Sequence, residues 1–290
     1  MTQSQLESLS LITDSSCQLN NGIKQTNRTI PKLANFTSLR SISWRGIQLR
    51  SDFLALRGAL KANSKHLKTL ELDLIRWTSA ELYYHYKEWN QDKPQHFLAY
   101  DILHLGSKGQ TASFPSLKTL SLSGVSYHIA ASEMALAFNF SGLRSLKLNK
   151  CSHVRNLFEA VVQANQPIQL TSLELVIEAG NLGPSDPLIR FLASFRGLEA
   201  FHLLTHDYRI SGELWETIFL HQPTLKQLVY HERPPEDEGK YDRLMLPWNR
   251  VLPSSGTSSL NVGLELKYAG LCCSLSELVG FPLVLMVRCN

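Results

Sequence analysis

The stretch FPSLKTLSLSGV, residues 114–125, contains the six-residue phrase from which most of this 290-residue chain is built. Apolar residues occupy the first, fourth and sixth positions of the phrase, here Leu117, Leu120 and Leu122. The seven copies begin at Leu39, Leu67, Leu117, Leu143, Leu170, Leu198 and Leu225. Successive copies begin 26 to 28 residues apart, except for the 50 residues that separate Leu67 from Leu117. Random apolar composition does not produce spacing this even.

The alternation inside each phrase predicts a short strand. Its fourth and sixth residues face one side of the strand, and the residues between them face the other side. The segments between phrases carry apolar stripes with helical spacing, and their first turns follow Ser51-Asp52, His153, Asp186-Pro187 and Ser211. Ser or Asp before a helix, with Pro in its first turn, favours a helix start. Each period therefore predicts one strand and one helix.

A period of about 27 residues built on Leu-x-x-Leu-x-Leu is typical of a leucine-rich-repeat solenoid. The predicted fold is an α/β, right-handed leucine-rich-repeat solenoid (a horseshoe), with parallel strands on the concave face and helices on the convex face. Unrelated amphipathic helices are the alternative, and they predict apolar spacings of three and four without a long-range period. One repeat is not stable alone, because three buried leucines contribute roughly 2 kcal/mol each. Ordering its backbone costs on the order of 1 kcal/mol per residue.

The interruptions in the rhythm suggest an organisation into three parts. Residues 1–232 form the repeat array, in which a loop insertion at about 80–96 explains the long interval. A decayed repeat at Tyr100-Leu103-Leu105 is the weaker explanation of that interval, because the next phrase follows too closely. Residues 233–259 are rich in Pro, Ser and Gly and predict a loop, and residues 260–290 form a degenerate last repeat with an atypical tail.

The two ends of the array are irregular. Leu6, Leu9 and Leu11 fit an eighth phrase, so the repeats begin without a polar cap and we expect a further element upstream. Near the other end, Leu264 and Leu266, followed by Leu271, indicate the last repeat.

Composition argues against several classes of protein. The net charge is +4, from 29 Lys+Arg and 25 Asp+Glu, and the basic residues are scattered along the sequence, so we expect no nucleic-acid partner. No signal peptide and no apolar run near 18 residues is present, which argues against a membrane span. The five cysteines lack the spacing of a disulfide framework. A cytoplasmic or nuclear location follows.

The sequence contains no catalytic motif, and we expect a non-enzymatic protein without cofactor or metal. Cys151-x-His153 has no second Cys/His pair at a spacing that zinc sites use. Cys151 is expected to be a small buried residue at a turn after a strand. The adjacent Cys272 and Cys273 are interpreted as core or loop residues.

The outward strand positions are the candidate binding residues. They carry hydroxyls and charges of both signs and become more apolar in the later repeats, at Val176, Leu204 and Val229. Such a shallow face suits a protein or peptide partner rather than a small anionic ligand. The predicted partner-binding residues are Arg45, Glu71, Asp73, Lys147, Asn149, Glu174, His202, Gln227 and His231.

Several of these segments resemble the leucine-rich-repeat region of fungal F-box proteins. The resemblance spans roughly residues 5–278 and is carried by residues 6–14, 62–74, 114–125, 137–148 and 271–274. It implies substrate recognition in a cullin-containing, SCF-type ubiquitin ligase. No F-box, which would open with a Leu-Pro-x-Glu-like phrase, is found in the sequence, so an adaptor partner is expected only if an F-box exists upstream. The alternative is a stand-alone repeat scaffold or inhibitor with no link to ubiquitin.

Overall fold

The structure, a computed structural model, describes residues 5–13, 32–47, 50–74, 97–103, 105, 114–128, 130–177, 186–206, 212–233 and 266–271. These residues fall into two compact units, divided between Pro167 and Ile168. In both units strands and helices alternate along the chain, and neighbouring strands pair in parallel. The chain is therefore an α/β protein, as predicted.

Unit one contains five strands, three α-helices and two shorter helical turns among its described residues. The strands are β1 (Ser8–Ile12), β2 (Ser41–Arg45), β3 (Thr69–Asp73), β4 (Thr119–Ser123) and β5 (Ser145–Asn149). The α-helices are α1 (Arg50–Asn63), α2 (Ala131–Ala137) and α3 (Val154–Gln163). A 3-10 turn covers Leu33–Asn35, and a π-helix covers Phe97–Ile102. The strands pair in sequence order from β1 to β5.

Unit two contains four strands and two α-helices among its described residues. The strands are β6 (Ser172–Ile177), β7 (Ala200–His206), β8 (Gln227–Arg233) and β9 (Tyr268–Leu271). The helices are α4 (Pro187–Ala193) and α5 (Gly212–Phe219). These strands also pair in sequence order and in parallel.

Each predicted phrase forms a strand, and the predicted burial is confirmed. In β3 the residues Leu70 and Leu72 are buried, whereas Thr69, Glu71 and Asp73 are half-buried. The first leucine of each phrase is also buried, ahead of the strand. The eighth phrase forms β1, although Leu9 and Leu11 are only half-buried there. Three apolar side chains per repeat therefore line the core of each unit.

The 50-residue interval between Leu67 and Leu117 is an insertion within one repeat. Strand β3 pairs directly with β4, with Thr69 opposite Thr119, so no decayed strand separates them. After the predicted loop, the structure contains the π-helix Phe97–Ile102, in which Leu98 and Ile102 are buried. The predicted loop at 80–96 itself lies outside the described residues.

The helix starts follow the sequence signals in part. The Asp186 carboxylate accepts a hydrogen bond from the Leu188 N–H at 2.8 Å, and Pro187 occupies the first turn of α4 as predicted. Helix α3 begins after His153, whose backbone has a φ of 55° and whose side chain makes no capping bond. A helix was predicted in this period, but no start signal identified the short helix α2. Ser211 lies outside the described residues.

The last described strand is shifted from the residues that indicated it. In β9, Ala269 pairs with Leu228, and Leu271 with Tyr230. Leu266 therefore takes the first position of the phrase, which reads Leu266-x-x-Ala269-x-Leu271. Alanine stands at the fourth position, where most phrases have leucine, which explains why the phrase is hard to recognise in the sequence.

Other sequence-based predictions fall outside the described residues. They concern the loop after Arg233, the atypical tail, and Cys17, Cys272, Cys273 and Cys289. Within the described ranges, no helix has the length and apolar character needed to cross a lipid bilayer.

Candidate functional site

The outward face of the sheet in unit one consists of three rows of side chains that run across the strands. The first row contains only hydroxyls, and we call it the hydroxyl row: Ser8, Ser41, Thr69, Thr119 and Ser145. The second row contains Ser10, Ser43, Glu71, Ser121 and Lys147. The third row contains Ile12, Arg45, Asp73, Ser123 and Asn149. Paired strands lie about 4.8 Å apart, so neighbours in a row are side by side.

The charges on this face alternate in sign across the strands. Arg45 on β2 lies opposite Asp73 on β3. In the second row, the Ser43 hydroxyl donates a hydrogen bond to Glu71 Oε2 at 2.9 Å. Lys147 lies two strands from Glu71, with Ser121 between them. The acidic pair on β3 is thus flanked by a cation on either side.

The second and third rows enclose a shallow hollow of about 230 Å³. Its lining residues are mostly polar and come from all four strands β2 to β5: Arg45, Glu71, Leu72, Asp73, Ser121, Ser123, Lys147 and Asn149. Pockets for small ligands typically measure about 300 to 1,000 Å³ and are mostly apolar. This hollow is smaller than such pockets, and its lining is mostly polar.

The hollow brings together five of the nine predicted binding residues, which are Arg45, Glu71, Asp73, Lys147 and Asn149. The other four lie in unit two. Glu174 on β6 is opposite His202 on β7, and Gln227 on β8 is exposed. His231, also on β8, lies opposite Leu204. The outward face of unit two is more apolar, since Val176, Leu204 and Val229 occupy equivalent positions.

The thiol of Cys151 has the burial and the pKa of an unreactive cysteine. The residue is buried after β5, as predicted, and its Sγ donates to the Leu122 carbonyl at 3.3 Å. Burial raises the pKa of the thiol to about 12, although hydrogen bonds with the backbone of Val125, Asn149 and Gly124 oppose the shift. The thiolate is the reactive form of cysteine, and a thiol with so high a pKa is protonated at neutral pH. Cys151 is therefore a core residue and not a nucleophile.

No group of three or more His, Cys, Asp or Glu side chains in the described part of the chain is arranged to hold a metal ion. His153 instead contacts the ring of His128 edge-on, with 4.7 Å between the ring centroids.

Two buried polar side chains that support the sheet were not identified from the sequence. Asn63 Oδ1 accepts a hydrogen bond from the Leu39 N–H at 2.9 Å, and His221 Nδ1 accepts one from the Leu198 N–H at 3.4 Å. Both lie four residues before a phrase and bind the backbone N–H that opens the preceding phrase. A polar residue four positions before the first leucine was the signal that could have revealed them.

Comparison with known proteins adds no family assignment. No protein-family model matches the chain, and no curated protein matches it at a significant level.

Proposed function

We propose that this chain is a non-enzymatic, protein-binding leucine-rich-repeat solenoid. Support comes from the phrase that recurs about every 27 residues and forms a parallel strand each time. Parallel strands joined through a helix almost always connect in the right-handed sense, so we propose a right-handed array. Repeats of this kind present their strands as a continuous surface for partners.

The observation that carries the proposed function is the set of three rows on unit one. Short hydroxyls surround a few charges of both signs, and the hollow between them is only about 230 Å³. A flat surface with alternating charges selects a protein partner through electrostatic complementarity, which sets specificity and association rate. We therefore propose that a protein binds across β2 to β5, with Arg45, Glu71, Asp73 and Lys147 as charged contacts.

We further propose that the bound protein is a substrate of an SCF-type ubiquitin ligase. This part of the proposal rests on the resemblance to the repeat region of fungal F-box proteins. Contact with the ligase adaptor requires an F-box, which the sequence as given does not contain. A stand-alone scaffold or inhibitor built on the same repeats is the alternative.

Affinity purification from cells of the source organism tests both the binding face and the proposed link to a ubiquitin ligase. The bait is the full chain, compared with the triple variant E71K/D73K/K147E and with a control variant, E216K. Both variants raise the net charge by two, but Glu216 is exposed on α5 and lies outside the three rows. If the unmodified chain and the E216K variant recover a partner that the triple variant does not, the result supports binding by the outward face.

The composition of the recovered complex separates the two functions. Recovery of the adaptor and cullin together with the partner supports the ligase role. Recovery of a partner without them favours the scaffold. A triple variant that retains every partner of the unmodified chain would show that the three rows are not the binding face.

A further inference from the structure

Unit one contains a fourth row of side chains, immediately before its strands. This position falls between the first leucine of each phrase and the strand, and all of its residues in four successive repeats are basic and exposed. We call them the basic row: Arg40, Lys68, Lys118 and Arg144. In the sequence these residues are scattered, because successive members are 26 to 50 residues apart. The strand register brings them together.

The backbone places the four residues in one line. The Lys68 N–H donates to the Arg40 carbonyl at 2.7 Å, and the Lys118 N–H donates to the Lys68 carbonyl at 2.8 Å. The Arg144 N–H donates to the Lys118 carbonyl, also at 2.8 Å. Each step crosses one strand spacing of about 4.8 Å, so three steps cover about 14 Å.

An acidic residue, Glu7, lies next to the Arg40 end of the basic row. The Arg40 N–H continues the line to the Glu7 carbonyl at 2.7 Å, and Arg40 Nε lies 3.4 Å from Glu7 Oε1. Both side chains of this ion pair are at least half-exposed, so water weakens the attraction between them. Further along the row, Lys118 Nζ donates to the Gly142 carbonyl at 3.1 Å.

We propose that the basic row binds a short acidic segment of the protein partner, in extended conformation and running across the strands. This inference rests on the proposed function and specifies the chemistry of the partner. Five extended residues span about 13 Å, which matches the length of the row. The hydroxyl row lies one residue further along each strand and supplies additional hydrogen-bond donors to carboxylates.

The geometry favours carboxylates on a peptide over other anions. Phosphate is usually recognised by donors that converge on one group, whereas these four cations are spread along a line. A nucleic acid would continue past the end of the row, where the Glu7 carboxylate repels its phosphates. The net charge of +4 is also small for a nucleic-acid-binding protein.

The test uses the full chain and a fluorescein-labelled peptide of six glutamates, with binding measured by fluorescence anisotropy at low ionic strength. The variant K68E/K118E reverses two charges of the basic row. Its matched control, K32E/K61E, changes the net charge equally at exposed lysines outside the row. We expect K68E/K118E to weaken binding about tenfold or more and the control to change it less than about twofold.

Several results would overturn the inference. One is an equal loss of binding in both variants, which would indicate attraction to net charge only. Others are the absence of binding to hexaglutamate, binding of a phosphoserine peptide alone, or equally strong binding of a DNA duplex. The proposed function fails separately, when the partner captured from cells is insensitive to E71K/D73K/K147E. Failure of the peptide experiment alone leaves that function standing.

Discussion

The side chain of Asn63 accepts a hydrogen bond from the backbone N–H of Leu39, which precedes it by 24 residues. Asn63 is fully buried at the end of α1, and its Oδ1 accepts the Leu39 N–H at 2.9 Å. Its Nδ2 donates to the carbonyls of Phe36 and Ala59, at 2.7 and 2.8 Å. One amide therefore connects the end of a helix to the chain that leads into the preceding strand.

Replacing Asn63 with Ala should destabilise the protein by about 2 to 4 kcal/mol, because a buried N–H and two carbonyls lose their partner. The measurement is the free energy of unfolding from urea denaturation. Asn35→Ala is the control, since Asn35 is exposed, and we expect a change within about 0.5 kcal/mol. Equal stability of the two variants would contradict the role of the Asn63 amide.

His221 should make stability depend on pH. Burial lowers the pKa of His221 from 6.5, and the positive charge of Arg196 lowers it further, while the hydrogen bond to the Leu192 carbonyl opposes the shift. The folded protein thus holds a neutral imidazole. Stability is complete above the unfolded pKa of about 6.5 and falls at lower pH, because only the unfolded chain binds the proton readily.

Thermal unfolding between about pH 8 and pH 5 checks this expectation. In the variant His221→Asn, an amide like that of Asn63 accepts the Leu198 N–H, and part of the loss of stability at acid pH should disappear. His128→Asn, at an exposed position, is the control and should keep the full loss. A His221→Asn profile parallel to that of the unmodified chain would argue against His221 as the source.

The strand assignment predicts that alanine substitutions at neighbouring residues of β4 change the free energy of unfolding by very different amounts. Leu120 is fully buried, so Leu120→Ala should lower the free energy of unfolding by about 2 to 5 kcal/mol through lost burial and a residual cavity. Ser121 faces outward and is half-buried, so Ser121→Ala should change it by less than about 0.5 kcal/mol. Similar effects of both substitutions in urea denaturation would contradict the alternation of the strand.

Cys151 should resist alkylation in the folded protein. Its thiol is buried, and burial raises its pKa to about 12, so the reactive thiolate is scarce at neutral pH. Mass spectrometry of the peptide that contains Cys151 after iodoacetamide treatment measures the labelling. We expect labelling at the rate of unfolding in buffer and complete labelling in urea. Rapid modification of the native protein would show that the thiol is accessible.

Much of the fold could be predicted because burial acts locally within each phrase. The alternation in Leu117 to Leu122 identified β4 and its buried side without reference to any other repeat, and Asp186-Pro187 identified the start of α4. The position of the short helix α2 was missed because its seven residues, four of them small, carry little helical periodicity. Strand β9 was hard to place because Ala269 replaces the expected leucine.

The sequence by itself determined which residues form strands and which side of each strand is buried, because the two-residue period of a strand is written in consecutive residues. Only the tertiary structure decided which side chains are neighbours across strands. Glu71 lies beside Ser121, and Lys68 beside Lys118, although 50 residues of chain separate each pair. The physical reason is that register depends on backbone hydrogen bonds between repeats, and those bonds form irrespective of the length of the intervening loop.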